Sequence, residues 1–293
     1  MTHASACGKI IMFGEHAVVY GRQAIAVPIP SYRTDVKIED SEEFNLTSNR
    51  ELSDKEKDRL TQMCSVLYAR FKLVGNILLE INSDIPINTG MGSSAALSVA
   101  TARAVSDHFK LGLGIEEINA AAFECEKIFH GTPSGIDNSV VCYEKPIYFM
   151  ETPQAFDIKE KFTLVIANSG IRPSTKEVLA EIRFAYIKDT EKYSKLFDEI
   201  AAIVSQARKC METGDIKSLG NLMTLNHDYL RMLGVSIPET DRIVNLALDA
   251  GALGAKVSGA GKGGNVIVLV TDKTKDKVLE ALSSYKTIIS EIR

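Results

Sequence analysis

Asn88-Thr-Gly90-Met-Gly92-Ser-Ser-Ala95 is the stretch on which the fold turns. Its part Gly90 to Ala95 fits the Gly-x-Gly-x-x-Ala fingerprint of dinucleotide-binding βαβ units. That fingerprint needs a strand directly before it, a helix after it, and a second strand ending in an acid about 20 residues on. Pro86, Asn88 and Thr89 stand where the strand should run in. Ala95, Val99, Ala102, Val105 and Phe109 keep helical spacing, and a further helical pattern from Ile115 to Phe129 replaces the second strand. A nicotinamide-binding sheet is thereby disfavoured. What remains is a glycine turn whose backbone approaches an anion closely, with the N–H groups of a helix start aimed at it. Ser93 and Ser94 add hydroxyls within reach of phosphate oxygens or Mg2+, although the Lys of a Walker A loop is missing. A plain capped helix accounts for the same residues.

Upstream, strand-like runs cover 9–13, 24–29, 32–38 and 76–81. A charged helix from Ser53 to about Phe71 has Ser53 as candidate N-cap and Glu56 three residues on. Downstream, the 115–129 helix closes in a Gly- and Pro-punctuated turn at 130–138, and strands follow around Ile147 and over 162–167. The segment at Pro153 is the expected boundary between domains 1–155 and 156–293. Four helices beginning near 174, 193, 215 and 238 come next, then two strands meeting at Lys262-Gly-Gly264, a helix and a strand. Strands and helices mix without strict βαβ alternation, which favours an α+β fold.

With 293 residues the length suits about two domains. Lys and Arg number 34 against 38 Asp and Glu, a net charge of −4, which argues against a nucleic-acid-binding surface. Cys7, Cys64, Cys125, Cys142 and Cys210 form no Cys-x-x-Cys pair, so neither a zinc nor a redox motif is signalled, and the scatter suits a reducing cytosol. Met1-Thr-His-Ala-Ser-Ala lacks the features of a signal peptide. The uncharged run 85–102 holds only five bulky apolar residues and is no membrane span. A cytoplasmic protein without membrane or nucleic-acid partners is expected.

A second glycine segment, Gly259-Ala-Gly-Lys-Gly-Gly264, leads into the strand-like Asn265–Val270 rather than a helix. A hairpin turn needs one or two glycines, so four in six positions point to contact with a ligand. On the 115–129 helix, Ile118, Ala122, Cys125 and Phe129 form an apolar stripe, with Glu117 and Glu124 on the solvated side. Glu126 sits at the stripe's edge, where a carboxylate is either paired or ligating a cation. Asp137 lies in the punctuated turn, where an Asx-turn role is equally open to it.

In this order the pieces resemble the GHMP kinase superfamily (galacto-, homoserine, mevalonate and phosphomevalonate kinases), and most its mevalonate-phosphorylating branch. Gly8-Lys-Ile-Ile-Met-Phe-Gly-Glu-His-Ala-Val-Val-Tyr-Gly21 is similar to the first motif and Pro86–Ala95 to the ATP-phosphate motif. Glu126 with His130-Gly-Thr-Pro-Ser-Gly-Ile-Asp-Asn138 resembles the metal-and-base segment, and Lys256-Val-Ser-Gly-Ala-Gly-Lys-Gly-Gly264 the third motif. The resemblance implies a ribosomal S5-like N-terminal domain, a ferredoxin-like C-terminal domain, and a site in the cleft between them. The phosphate segment would belong to a left-handed βαβ crossover, against the usual hand. The implied reaction is phosphorylation of the mevalonate 5-hydroxyl by ATP with Mg2+, in isoprenoid synthesis, with a homodimer left open.

Roles carry over residue by residue. The resemblance gives Asp137 as base with Lys9 beside it, a neighbour that keeps an Asp ionised. It gives Asn88, Gly90, Met91, Gly92, Ser93, Ser94 and Ala95 to ATP, and Ser94 and Glu126 to the metal. Lys9, Glu15, His16, Asp137, Thr175, Gly259, Ala260 and Gly261 fall to the substrate. Cys7, Met91, Ser258 and Asn265 replace the usual Pro, Leu, Thr and Cys, and Lys262 replaces a usual Gly, placing an extra cation beside the expected phosphate channel. Rival readings are phosphomevalonate kinase, mevalonate 3-kinase, and a non-catalytic ligand-binding protein of the same fold. Joint presence of Lys9, Glu126 and Asp137 weighs against the last.

Overall fold

Apolar residues from Ala24 to Ile29 run without a break, and from Thr34 onward they alternate with polar ones, Val36 and Ile38 turning inward. In a computed structural model, which describes every residue except Ile87, Asn88, Thr132 and Pro173, both patterns belong to one strand. Its first half is buried on both faces and its second on one. The two strands expected here are thus a single one, since Pro28 and Pro30 are compatible with extended backbone and cost one donor each.

The elements in order are β1 (Thr2–Phe13), a 3-10 turn (Ala17–Tyr20), β2 (Ala24–Ser41), β3 (Asn45–Ser48), α1 (Asp54–Phe71) and β4 (Asn76–Ser83). Then follow α2 (Ser93–His108), α3 (Ile115–His130), α4 (Ile136–Tyr143), β5 (Ile147–Phe149), β6 (Pro153–Ala155) and β7 (Phe162–Asn168). The rest is α5 (Thr175–Lys188), α6 (Thr190–Thr213), α7 (Ile216–Met232), α8 (Pro238–Asp249), β8 (Gly254–Ser258), β9 (Asn265–Val270), α9 (Lys275–Ala281) and β10 (Lys286–Ile292). Among the described residues one sheet has the order β3-β4-β2-β5-β6 with β1 also on β2, and a second the order β10-β7-β9-β8.

The chain forms two compact units. One comprises Met1–Lys9 and most of Pro28–Glu144, the other Ile10–Val27 and Lys145–Arg293 with the short stretch ending at Gly90. In the first, β4 pairs antiparallel with β2 and parallel with β3, so α1 is the crossover between parallel strands. Ser53 caps α1, and its capping box with Glu56 is complete, as the spacing predicts. α2 is packed on α3 and α4 and is buried nearly all round. Its alanines (Ala95, Ala96, Ala100, Ala102, Ala104) permit that close approach. In the second unit every strand pairing of the β10-β7-β9-β8 sheet is antiparallel. Val165, Val266, Val268 and Ala255 from the sheet pack with Ile243, Val244 and Ala247 of α8 and Val278 of α9.

Two further readings change. The turn expected over 130–138 ends at Gly135, whose φ of 87° makes it the N-cap of α4, and residues 136–143 are helical. Gly and Pro here mark a helix start rather than a longer loop. The Pro153 segment, read as exposed linker, pairs with β5 as a short strand. The five cysteines are free thiols. Among the described residues no helix is long and apolar enough to cross a membrane.

Candidate active site

Lys9 is fixed by β1, which is buried on both faces from Ala6 to Ile10, and it is 4% exposed. Its backbone N–H donates to Met91 O at 3.0 Å, which ties the glycine turn to the strand. A Cβ on Gly92 would fall 2.7 Å from Lys9 Cγ, so the turn passes directly over the lysine stem because Gly92 has no side chain. The Lys9 ammonium reaches Asp137 Oδ1 at 2.8 Å. Asp137 stands in the first turn of α4, where the helix dipole favours an anion.

Gly92, at φ 73°, caps α2 without any side-chain bond, so the first N–H groups of α2 at Ser93, Ser94 and Ala95 lack intrahelical partners. Gly90 has φ 75° and open space around its Cα. Met91 and Ala95 turn their side chains into the core, leaving only their backbone to meet a phosphate. Asn88 lies outside the described residues. Ser93 lines a cavity with Ser48, Arg50, Leu52, Leu60, Ile85 and Leu97.

Beneath the start of α2, Glu126 of α3 is 1% exposed. Its Oε2 accepts from Ser94 Oγ at 3.1 Å and its Oε1 from Ser98 Oγ at 2.9 Å. Ser94 Oγ also lies 2.9 Å from His130 Nε2, which fits a hydroxyl that donates to the carboxylate and accepts from the ring. Burial above all, then the nearby Asp137 charge, raises the Glu126 pKa to about 7, against the opposing pull of the two serines and Lys9. Burial also lowers the His130 pKa. Among the described residues no group of three or more His, Cys, Asp and Glu side chains is placed to hold a metal ion. A buried carboxylate beside one hydroxyl, both oxygen donors, nonetheless fits Mg2+, which takes few protein ligands and keeps water and phosphate oxygens.

In the second unit, Glu15 and His16 follow β1 and are both buried. Glu15 Oε1 is ion-paired with Lys256 Nζ of β8, and Lys256 also donates to Val257 O at 2.8 Å. Burial pushes Glu15 up and Lys256 down, each against the attraction of the other. His16 adopts φ 64°, a strained value for a side-chain-bearing residue. Neither of its ring nitrogens, nor Glu15 Oε2, has a well-formed hydrogen bond among the described residues, while the Ala260 backbone faces His16 and the Gly259 backbone faces Glu15. Burial, the dominant influence, drives the His16 pKa to about 4, so the ring is neutral.

All four glycines of 259–264 have positive φ, for two different reasons. A Cβ on Gly261 would meet Val235 O at 2.4 Å, and one on Gly263 Ile171 O at 2.6 Å, so these glycines answer the protein's own crowding. Gly259 and Gly264 face open space. Ala260 is partly exposed beside Gly259. Thr175 is the exposed first residue of α5, and its side chain makes no hydrogen bond among the described residues. Ser98, Lys256 and the pair His227–Asp241 were not singled out in the sequence. Ser98 was findable, because it stands one helical turn after Ser94 on the same face.

Family models for GHMP kinases match in both halves, the N-terminal domain over residues 58–145 and the C-terminal over 195–287. A mevalonate kinase of Thermococcus sibiricus is 32% identical over 93% of this chain and 90% of its own length. One from Archaeoglobus fulgidus is 35% identical over 91% of both. This chain belongs to the mevalonate kinase family of GHMP kinases. The crystal structure of L. major mevalonate kinase in complex with R-mevalonate superposes with a TM-score of 0.91 at 29% identity, covering 100% of this chain and 96% of that one.

As a mevalonate kinase family member the chain carries departures that now have local explanations. Asn265 donates to Thr89 O at 2.7 Å and accepts from Asn168 Nδ2 at 2.8 Å, and Ser258 Oγ donates to Ile11 O at 2.7 Å. Lys262, expected as an extra cation for phosphate, is ion-paired with Glu181 of α5.

Proposed function

We propose that this chain transfers the γ-phosphoryl group of ATP to the 5-hydroxyl of mevalonate, giving 5-phosphomevalonate and ADP in isoprenoid synthesis in the cytoplasm. The Lys9–Asp137 pair, beside the uncapped start of α2, is the observation that carries the reading. Phosphoryl transfer has a loose transition state, so placement and charge neutralisation supply most of the rate. N–H groups of Ser93, Ser94 and Ala95 bind the β- and γ-phosphate oxygens through hydrogen bonds and the helix dipole. The cavity that Ser93 shares with Arg50, Leu52, Leu60 and Leu97 takes the nucleoside end.

Asp137 accepts the proton of the 5-hydroxyl as its oxygen bonds to the γ-phosphorus and the bond to the ADP oxygen breaks. Lys9 holds that carboxylate in place and offsets charge gathering at the transferring group. Ser94 and Glu126 would hold Mg2+, which neutralises phosphate charge when bound. His16, Glu15, Gly259, Ala260, Gly261 and Thr175 belong to the mevalonate end, supported most by the buried, neutral ring of His16 beside the Ala260 backbone. An ADP-release assay of the purified chain with mevalonate, phosphomevalonate, galactose and homoserine tests the reading. Turnover with mevalonate at least tenfold above the others is expected, and a preference for any of the other three would overturn it.

A further inference from the structure

Strand β8 is the edge of its sheet, so N–H groups on its outer side have no strand partner. One of them, that of Val257, donates instead to Nδ1 of His227 in the interior, 3.4 Å away. Glycines set α7, which carries this imidazole, hard against the strand. A Cβ on Gly220 would fall 2.4 Å from Leu253 O, and one on Gly254 1.9 Å from Gly220 O. His227 stands two helical turns beyond Gly220 and so shares its face. At the other ring nitrogen, Nε2–H donates to Asp241 Oδ1 at 3.1 Å. Asp241 is held in turn by Ser236 Oγ at 2.6 Å and Arg231 Nε at 3.4 Å.

These contacts admit one tautomer, with the proton on Nε2 and a lone pair on Nδ1. The charged groups facing the ring are Asp241 of α8, Lys256 of β8 with its partner Glu15, and Asp228 and Arg231 of α7. Burial outweighs the pull of Asp241 and holds the His227 pKa below its ordinary value. Protonation would put an N–H at Nδ1 against the Val257 N–H, two donors facing each other.

Directly after Val257 comes Ser258-Gly259-Ala260-Gly261, whose positive-φ glycines make its position sensitive to the strand end it leaves, beside the contacts of Ser258 with Ile11 O and of the Gly259 and Ala260 backbone with Glu15 and His16. We propose that His227, oriented by Asp241, is a positioning residue for the reaction, capping the β8 edge at Val257 and so fixing the glycine segment that meets mevalonate. Which ligand feels the segment rests on the function proposed above, whereas the cap itself does not.

Two variants separate this role from mere core packing. His227→Leu keeps volume and removes the acceptor; His227→Gln offers a carbonyl oxygen to Val257 N–H and does not titrate. Losing one hydrogen bond predicts a rise of about three- to tenfold in the mevalonate KM for His227→Leu, with the ATP KM moved less than about twofold. Hydrogen exchange of the Val257 amide should speed by a similar factor. His227→Gln should recover most of both losses and flatten the rise in mevalonate KM expected of the unmodified chain as pH falls below the ordinary imidazole range.

Unchanged Val257 exchange in His227→Leu, equal shifts in both KM values, or a His227→Gln no better than His227→Leu would each overturn the proposal. If His227→Leu does not fold, the pH profile and Val257 exchange of His227→Gln decide, and a pH dependence retained in that variant overturns it. No turnover of mevalonate by the unmodified chain would instead remove the proposed substrate and leave the exchange comparison standing.

Discussion

The ammonium of Lys9 lies 2.8 Å from Asp137 Oδ1, and the lysine's side chain is only 5% exposed while the carboxylate's is 36% exposed. The cation is therefore committed to this partner, and the acid retains an open side for a hydroxyl. Lys9→Met and Asp137→Asn should each cost kcat heavily, and the double variant should lose less than the product of the two. Single-turnover rates with saturating ATP check this, and fully multiplicative losses would mean that the two residues act apart.

Ser94→Ala and Glu126→Gln should weaken use of Mg2+ and ATP more than binding of mevalonate. Raising Mg2+ and ATP together should restore part of the rate. A collapse of mevalonate affinity with no such rescue would contradict the placement of these groups on the phosphate side.

Glu126 also predicts how the metal-free protein responds to pH. Its pKa rises from 4.5 to about 7 on folding, so the folded state holds the extra proton in that window. Stability accordingly falls as pH rises through it, by roughly 3 kcal/mol when the carboxyl is fully ionised. Thermal melting without Mg2+ should show a decline between pH 5 and 8 that is much reduced in Glu126→Gln. Equal slopes for the two proteins would contradict it.

Much of this site was legible because its residues sit in contiguous motifs. Glycine spacing at 90–95 matches a dinucleotide turn, and its flanks (Pro86 and Thr89 before it, a helical pattern at 115–129 after it) disfavoured that reading; the α2 start, with no side-chain cap, gives the spacing its physical sense. Glu126 at the edge of an apolar stripe was seen to need a partner, and its two serines were found one helical turn apart. What stayed hidden depends on tertiary approach. No local pattern says that β8 is an edge strand, that Gly220 admits α7 against Gly254, or that Glu181 engages Lys262. The glycines of 259–264 misled in part, since crowding by Val235 and Ile171 explains two of them without a ligand.

That division of the glycines is itself testable. Gly261→Ala places a Cβ 2.4 Å from Val235 O and should lower Tm sharply. Gly259→Ala meets no neighbour and should cost only the positive-φ penalty of about 1 kcal/mol, with a disproportionate loss of turnover. Calorimetry with kcat/KM for both variants checks the contrast. A Gly259→Ala protein that keeps full activity would take that residue out of the site.

The central claim is that Asp137 is the base for the mevalonate hydroxyl, and the kcat of Asp137→Asn with saturating mevalonate and ATP tests it most directly. General-base catalysis is worth roughly 10²–10⁴ in rate, and a loose transition state favours the lower half of that range. The account predicts a loss of about a hundredfold or more, with the protein still folded and ATP affinity retained, because Asn keeps the size and most hydrogen bonds of Asp, although Tm falls as buried Lys9 loses its ionic partner. A kcat within about threefold of the unmodified chain would contradict it, since Asn serves a helix start or an Asx turn as well as Asp does.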